Sequence, residues 1–231
     1  EHLNATARVL HTRLQFFGMY DMLVQIKDND VIIAEFMDNT RLLDFVASTQ
    51  SEGHIAFIDL SQQSLEDRQN LIGTTTITDS HMSRLQTRFA EANGLPTLVP
   101  TPVTTIPNTY NAYTGLPYET ILTNDHIHSA YAIYTPGSGS QTEEWGVQIA
   151  LTQQGQDLFT AYAEANAGRL IGITIDNLLI AARLIESPTS TINIYNEMSP
   201  FTEQQARQFA SMAVSGGLLV PLGLQDVILL D

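Results

Sequence analysis

The sequence contains no cysteine, which excludes disulfide bridges, thiolate catalysis and cysteine-ligated zinc, and is compatible with an oxidising compartment. Basic residues are scarce too. Ten Lys plus Arg stand against 25 Asp plus Glu, a formal net charge of −15, and Lys27 is the single lysine. A surface of that sign repels phosphate backbones and anionic lipid, so nucleic acid is excluded as a partner. Long apolar runs are also missing: the most apolar stretch, around 218–222, falls far short of the roughly 20 residues that cross a bilayer. The chain opens at Glu1 in a helical pattern with no signal-peptide features and ends in a strand-like run, as a piece of a longer protein would.

What is present suits a folded protein. Of the 231 residues, 43% are hydrophobic and 15% charged, enough apolar material for one large domain or two small ones. Leu3, Ala7, Leu10, Leu14 and Phe17 recur at three- and four-residue spacing, predicting a helix that stops at Gly18. Met22, Val24 and Ile26 alternate with polar neighbours, residues 28–30 supply a turn, and 31–36 form the return strand. A short helix capped at Asn39 or Thr40 and a strand over 54–60 complete the order helix, strand, strand, helix, strand.

Residues 61–115 are rich in Ser, Thr, Gln and Asn, with four prolines from Pro96 to Pro107, and read as a polar linker. Met82, Leu85 and Phe89 predict one helix within it. Beyond it come strands at 127–134 and 145–151. Next is a helix capped by Thr152, with Leu158, Phe159, Tyr162 and Ala163 on its apolar face. An apolar hairpin turning at Asp176-Asn177 and a strand at 191–195 follow. Thr202 and Gln205 then form a capping box for a helix burying Ala206, Phe209, Ala210 and Val214, which ends at Gly216-Gly217 before a last strand broken by Pro221. Short hairpin-linked strands mixed with helices predict an α+β fold.

Chemistry-bearing motifs are sparse. His126 and His128 would share one face of a strand, but two ligands do not close a metal site and no third lies nearby. Asp125 and Asp176 sit in turns, where Asp bonds its own backbone. The sequence has no nucleophile elbow, phosphate-binding glycine loop or His-Glu-x-x-His helix. It therefore reads as neither an enzyme nor a cofactor-binding protein.

Residues 163–185, AEANAGRLIGITIDNLLIAARLI, resemble the signature of the SecD periplasmic head, a helix ending in Asn-x-Gly before a hairpin with an Asp turn. Residues 200–222, PFTEQQARQFASMAVSGGLLVPL, resemble the segment that follows in that family, and 122–132, 147–162 and 9–37 are similar to its earlier parts. Asn177 in place of the turn glycine, and Val214-Ser215-Gly216-Gly217 in place of Arg-Ala-Gly-Ala, allow a diverged paralogue.

The resemblance implies a ferredoxin-like base (1–60 plus 218–231), the polar insert (61–115) and an inserted α+β head (116–217). It implies an extracytoplasmic domain of a membrane-anchored Sec translocon subunit, monomeric in isolation. Such a domain would contact unfolded preprotein and the other membrane subunits and assist export driven by the proton-motive force. An extracellular ligand-binding or cell-envelope scaffold with the same fold is the alternative. Tyr110, Tyr113 and Tyr118 are the expected polypeptide contacts, against packing of the linker on the base. Gly115 with Pro117, and Gly216 with Gly217, are the expected hinges where the chain crosses between base and head.

Overall fold

The computed structural model describes residues 2–16, 19–27, 31–36, 51–84, 111, 113–114, 116–136, 143–185, 187–197, 199–218 and 222. The long helices are α1 (His2–Phe16), α2 (Gln153–Ala165) and α3 (Glu203–Ser215). The strands are β1 (Met22–Lys27), β2 (Val31–Phe36), β3 (Ile55–Leu60), β4 (Thr120–Thr123), β5 (Ile127–Thr135), β6 (Glu144–Leu151), β7 (Leu170–Ile175), β8 (Leu178–Leu184) and β9 (Thr191–Ile194). They form three antiparallel groups: the β1-β2 hairpin, a four-stranded sheet in the order β4-β3-β7-β8, and a three-stranded sheet in the order β5-β6-β9. The mixture is α+β, as expected.

Side-chain alternation explains the four-stranded sheet. Successive residues of a strand point to opposite faces, so a strand covered on both sides reads as an unbroken apolar run. In β3, Ile55 and Phe57 enter the large core shared with α2, α3 and the second sheet, while Ala56, Ile58 and Leu60 enter a smaller core with Leu71 and Tyr118. β7 divides likewise, with Ile171 and Ile173 in the first core and Leu170 in the second. Gly172 leaves room for Ile58 and Leu179, whose atoms lie 2.8 Å from where its Cβ would be.

Two features differ from the sequence-based expectation. β3, grouped there with the base, is an inner strand between β4 and β7, which satisfy its backbone donors and acceptors on both edges. Within residues 61–84, grouped with the linker, Leu71 and Ile72 pack onto the second core. Gly73 donates to the Leu179 carbonyl, Leu179 to Thr74 and Thr76 to Asn177, so this segment lies along the outer edge of β8. Helical backbone begins at Asp79, and the rest of the helix predicted around Met82 lies outside the described residues, as do the helix expected after Asn39 and the final strand.

Local signals give the helix ends. Thr152 Oγ1 accepts from the Gly155 amide, and Thr202 and Gln205 exchange both bonds of a capping box. The turn between β7 and β8 places Asp176 at φ 47° and Asn177 at φ 70°, the left-handed pair that a two-residue hairpin requires. On α2, Phe159 and Ala163 are buried as predicted, but Leu158 is 41% exposed, one position off the buried stripe. A 3-10 turn at Asn124–His126 separates β4 from β5. α1 covers the β1-β2 hairpin through Leu10 and Leu14, which meet Met22, Val24 and Ile32.

Candidate functional site

Two neighbouring features stand out: a joint where five distant segments meet, and a groove beside an open strand edge. The joint centres on Arg13 of α1, whose side chain is fully buried. Its Nη1 donates to the Ser51 carbonyl (2.8 Å), its Nη2 to the carbonyls of Glu52 (2.6 Å) and Gly216 (3.0 Å), and its Nε to Ser215 Oγ (3.2 Å). Burial lowers its pKa to about 10, opposed by the nearby charge of Asp176, so the guanidinium stays charged at neutral pH.

Asp176 serves the same junction. Its Oδ1 accepts from the His54 amide (2.9 Å) and its Oδ2 from Ser51 Oγ (2.5 Å). This corrects the expectation that it bonds its own backbone: its partners lie more than 120 positions away in sequence. Asn124 completes the joint, accepting from the Ile55 amide and donating to the carbonyls of Gly53 and Met212.

The predicted hinge residues fall in different places. Gly216, at φ 79°, caps the C-terminus of α3 and surrenders its carbonyl to Arg13. Gly217 faces His54, whose ring carbon would lie 1.9 Å from a Cβ at that position, and the next residue, Leu218, donates to the Glu52 carbonyl. A bulky residue at 217 therefore cannot leave the packing intact. Pro117 sits half-buried just before Tyr118, and Gly115 lies outside the described residues.

Of the tyrosines expected to contact polypeptide, the two described ones differ in exposure. Tyr113 is 59% exposed, Tyr118 is 1% exposed within the second core, and Tyr110 lies outside the described residues. Among the described residues Tyr118 finds no hydrogen-bond partner for its hydroxyl, and burial pushes its pKa up to about 12. His126 likewise serves structure: its Nδ1 accepts from the Thr123 amide, while His128 is exposed at the start of β5 and Asp125 is exposed in the turn. Among the described residues no cluster of three or more potential metal ligands is gathered.

An aromatic surface forms elsewhere. Tyr131 and Tyr134 of β5 are 62% and 46% exposed, and the Tyr134 ring stands 5.2 Å from that of Trp145 on β6, tilted by 48°. Beside them runs a groove of about 430 Å³ with Ala130 and Ala132 on the strand side and Arg207 and Ala210 on α3. The Tyr134–Trp145 pair and Phe16, from the end of α1, also line it. Sequence reasoning placed these strands but missed the surface. The available signal was the cross-strand register, which sets Tyr134 opposite Trp145.

Comparison with known proteins bears on this arrangement. The family described as SecDF, P1 head subdomain, matches residues 104–220, just over half of the chain. The protein translocase subunit SecD of Acetobacter pasteurianus is 25% identical over 199 residues, covering 84% of this chain and 36% of that protein. The chain thus spans about a third of the curated relative. Among solved structures, one described as a membrane component SecDF that enhances protein export superposes with a TM-score of 0.63 at 19% identity, over 99% of this chain and 93% of that one. SecDF in its super-membrane-facing form gives 0.61 at 19% identity, over 95% and 27%. None of the described helices is long and apolar enough to cross a membrane. With the family matched over the segment that carries α2, α3, β4 to β9 and the groove, the chain belongs to the SecD family of protein-translocation membrane proteins, through its P1 head subdomain.

Proposed function

We propose that this chain is the extracytoplasmic domain of a SecD-like subunit and that it engages emerging, unfolded preprotein in support of export driven by the proton-motive force. One observation carries the reading: the Tyr134–Trp145 pair beside the groove, with the exposed Tyr131 on the opposite face of β5, all in the segment that matches the head family. Aromatic rings offer unfolded chain a large contact area with little side-chain entropy to lose, and an acidic surface favours neutral or basic segments. Reaction chemistry has no part in this role. The other membrane subunits of the translocon are the partners such a domain would work beside, and in isolation it would be a monomer.

The division into base, polar insert and head belongs to the same proposal. Its hinge at Gly216 and Gly217 would have to release the Arg13 bonds in order to move. Titrating a reduced, unfolded secretory protein against the labelled domain tests the binding role. The expected result is a micromolar signal that weakens with salt and with Tyr134→Ala. No signal up to high micromolar concentration would overturn it.

A further inference from the structure

The groove has one wall made of backbone, and this narrows what can occupy it. β5 is the outermost strand of its sheet and pairs only with β6. Among the described residues, no backbone group beyond β6 bonds to residues 128–135. In an antiparallel pair, alternate residues turn their N–H and C=O groups away from the partner, so β5 presents an unfilled row of donors and acceptors.

Proteins ordinarily blunt such an edge. Here residues 73–76 bond the start of β8 at Leu178 and Leu179, whereas β5 is nine residues long and carries neither lysine nor proline. The lining of the groove is built for close approach. Ala130 and Ala210 are buried where β5 packs on α3, so that small side chains form the floor beside the half-buried Ala132, and Phe16 and the Tyr134–Trp145 pair add apolar walls.

We infer that an extended polypeptide segment docks here as an added strand on the outer edge of β5, its alternate side chains entering the groove beside α3. This rests on the preprotein-binding reading and specifies its mode and substrate class. Backbone bonds supply affinity regardless of sequence, which suits a partner that differs with every client. Side chains on one face of the added strand meet the alanine floor and the aromatic walls, favouring small or medium apolar residues.

Side chains on the other face lie beside Tyr131. Charge selects for basic residues among them: Glu144 opposes Thr135 across the β5-β6 pair, on the same face of the strand as Tyr131. With a net charge of −15 on the whole chain, the fitting class is an extended segment alternating apolar residues with Lys or Arg.

The test uses the 231-residue chain and a blocked nine-residue peptide alternating Val with Lys, matched to the length of β5. Two further versions carry N-methyl groups on the odd or on the even backbone amides. The expected result is binding by the parent peptide and a loss of about tenfold or more with one methylation pattern, the other pattern being tolerated. Tyr134→Ala should weaken the parent peptide severalfold with an unchanged circular dichroism spectrum.

Equal tolerance of both patterns, or equal loss with both, overturns strand addition. If the unfolded secretory protein still binds in that case, only this inference falls. If neither it nor the peptide binds, the broader reading falls as well.

Discussion

Gly217 and His54 compete for one volume: a Cβ at 217 would lie 1.9 Å from the His54 ring, and the ring is held where the chain enters β3. Gly217→Ala should therefore destabilise the protein by about 1–3 kcal/mol through overpacking. In a His54→Ala background the cost should largely vanish. A double-mutant cycle in urea measures this coupling, and equal costs in both backgrounds would show that the close approach is not responsible.

Arg13 donates to three carbonyls and a hydroxyl from segments distant in sequence. Arg13→Met strands those acceptors and should cost about 3–5 kcal/mol. Arg13→Lys should recover little, since an ammonium cannot reproduce the planar fork. Chemical denaturation of both variants checks this; near-wild-type stability in the lysine variant would refute the geometric account.

Asp176 and Ser51 are tied to each other and, through Asp176, to the His54 amide. Replacing either with alanine should lower stability, by about 1–3 kcal/mol for Asp176 because it leaves a half-buried amide unpaired. The double variant should lose less than the sum. Additive losses in thermal unfolding would mean the bond contributes nothing of its own.

Tyr118 makes a pH prediction whose sign follows from linkage. Its phenol ionises near 10 when unfolded and near 12 in the fold. Between those values the unfolded chain has released the proton and the native state has kept it, so stability falls as pH rises from about 10 to about 12. Tyr118→Phe should remove that share of the alkaline loss. At neutral pH it should be neutral or stabilising by up to about 1 kcal/mol, because the hydroxyl is buried with no partner among the described residues. Denaturant midpoints for both proteins across that range decide it.

The features legible in the sequence are those whose causes are local. Thr202 and Gln205 lie three residues apart, and Asp176-Asn177 flanked by apolar runs leaves few conformations but a tight hairpin. The role of Asp176 was hidden because its partners, Ser51 and His54, are far along the chain and carry no spacing signal. The run Ile55–Leu60 announced a strand buried on both faces without saying which sheet holds it. Tyr113 and Tyr118 look alike in sequence, and only packing makes one exposed and the other core. The groove depends on two helices and an edge strand converging, which residue order does not reveal.

The position of β3 sets a limit on dissection. A fragment cut to residues 104–220 would keep β4 and β7 but lose the strand that joins them, along with the β3 side chains that enter both cores. Two raw strand edges and an apolar slot would then face water, and such a piece would gather into aggregates. The smallest soluble unit of this head is therefore discontinuous in sequence, and a shortened version must carry residues 55–60 with it, whether on the same chain or supplied as a separate peptide.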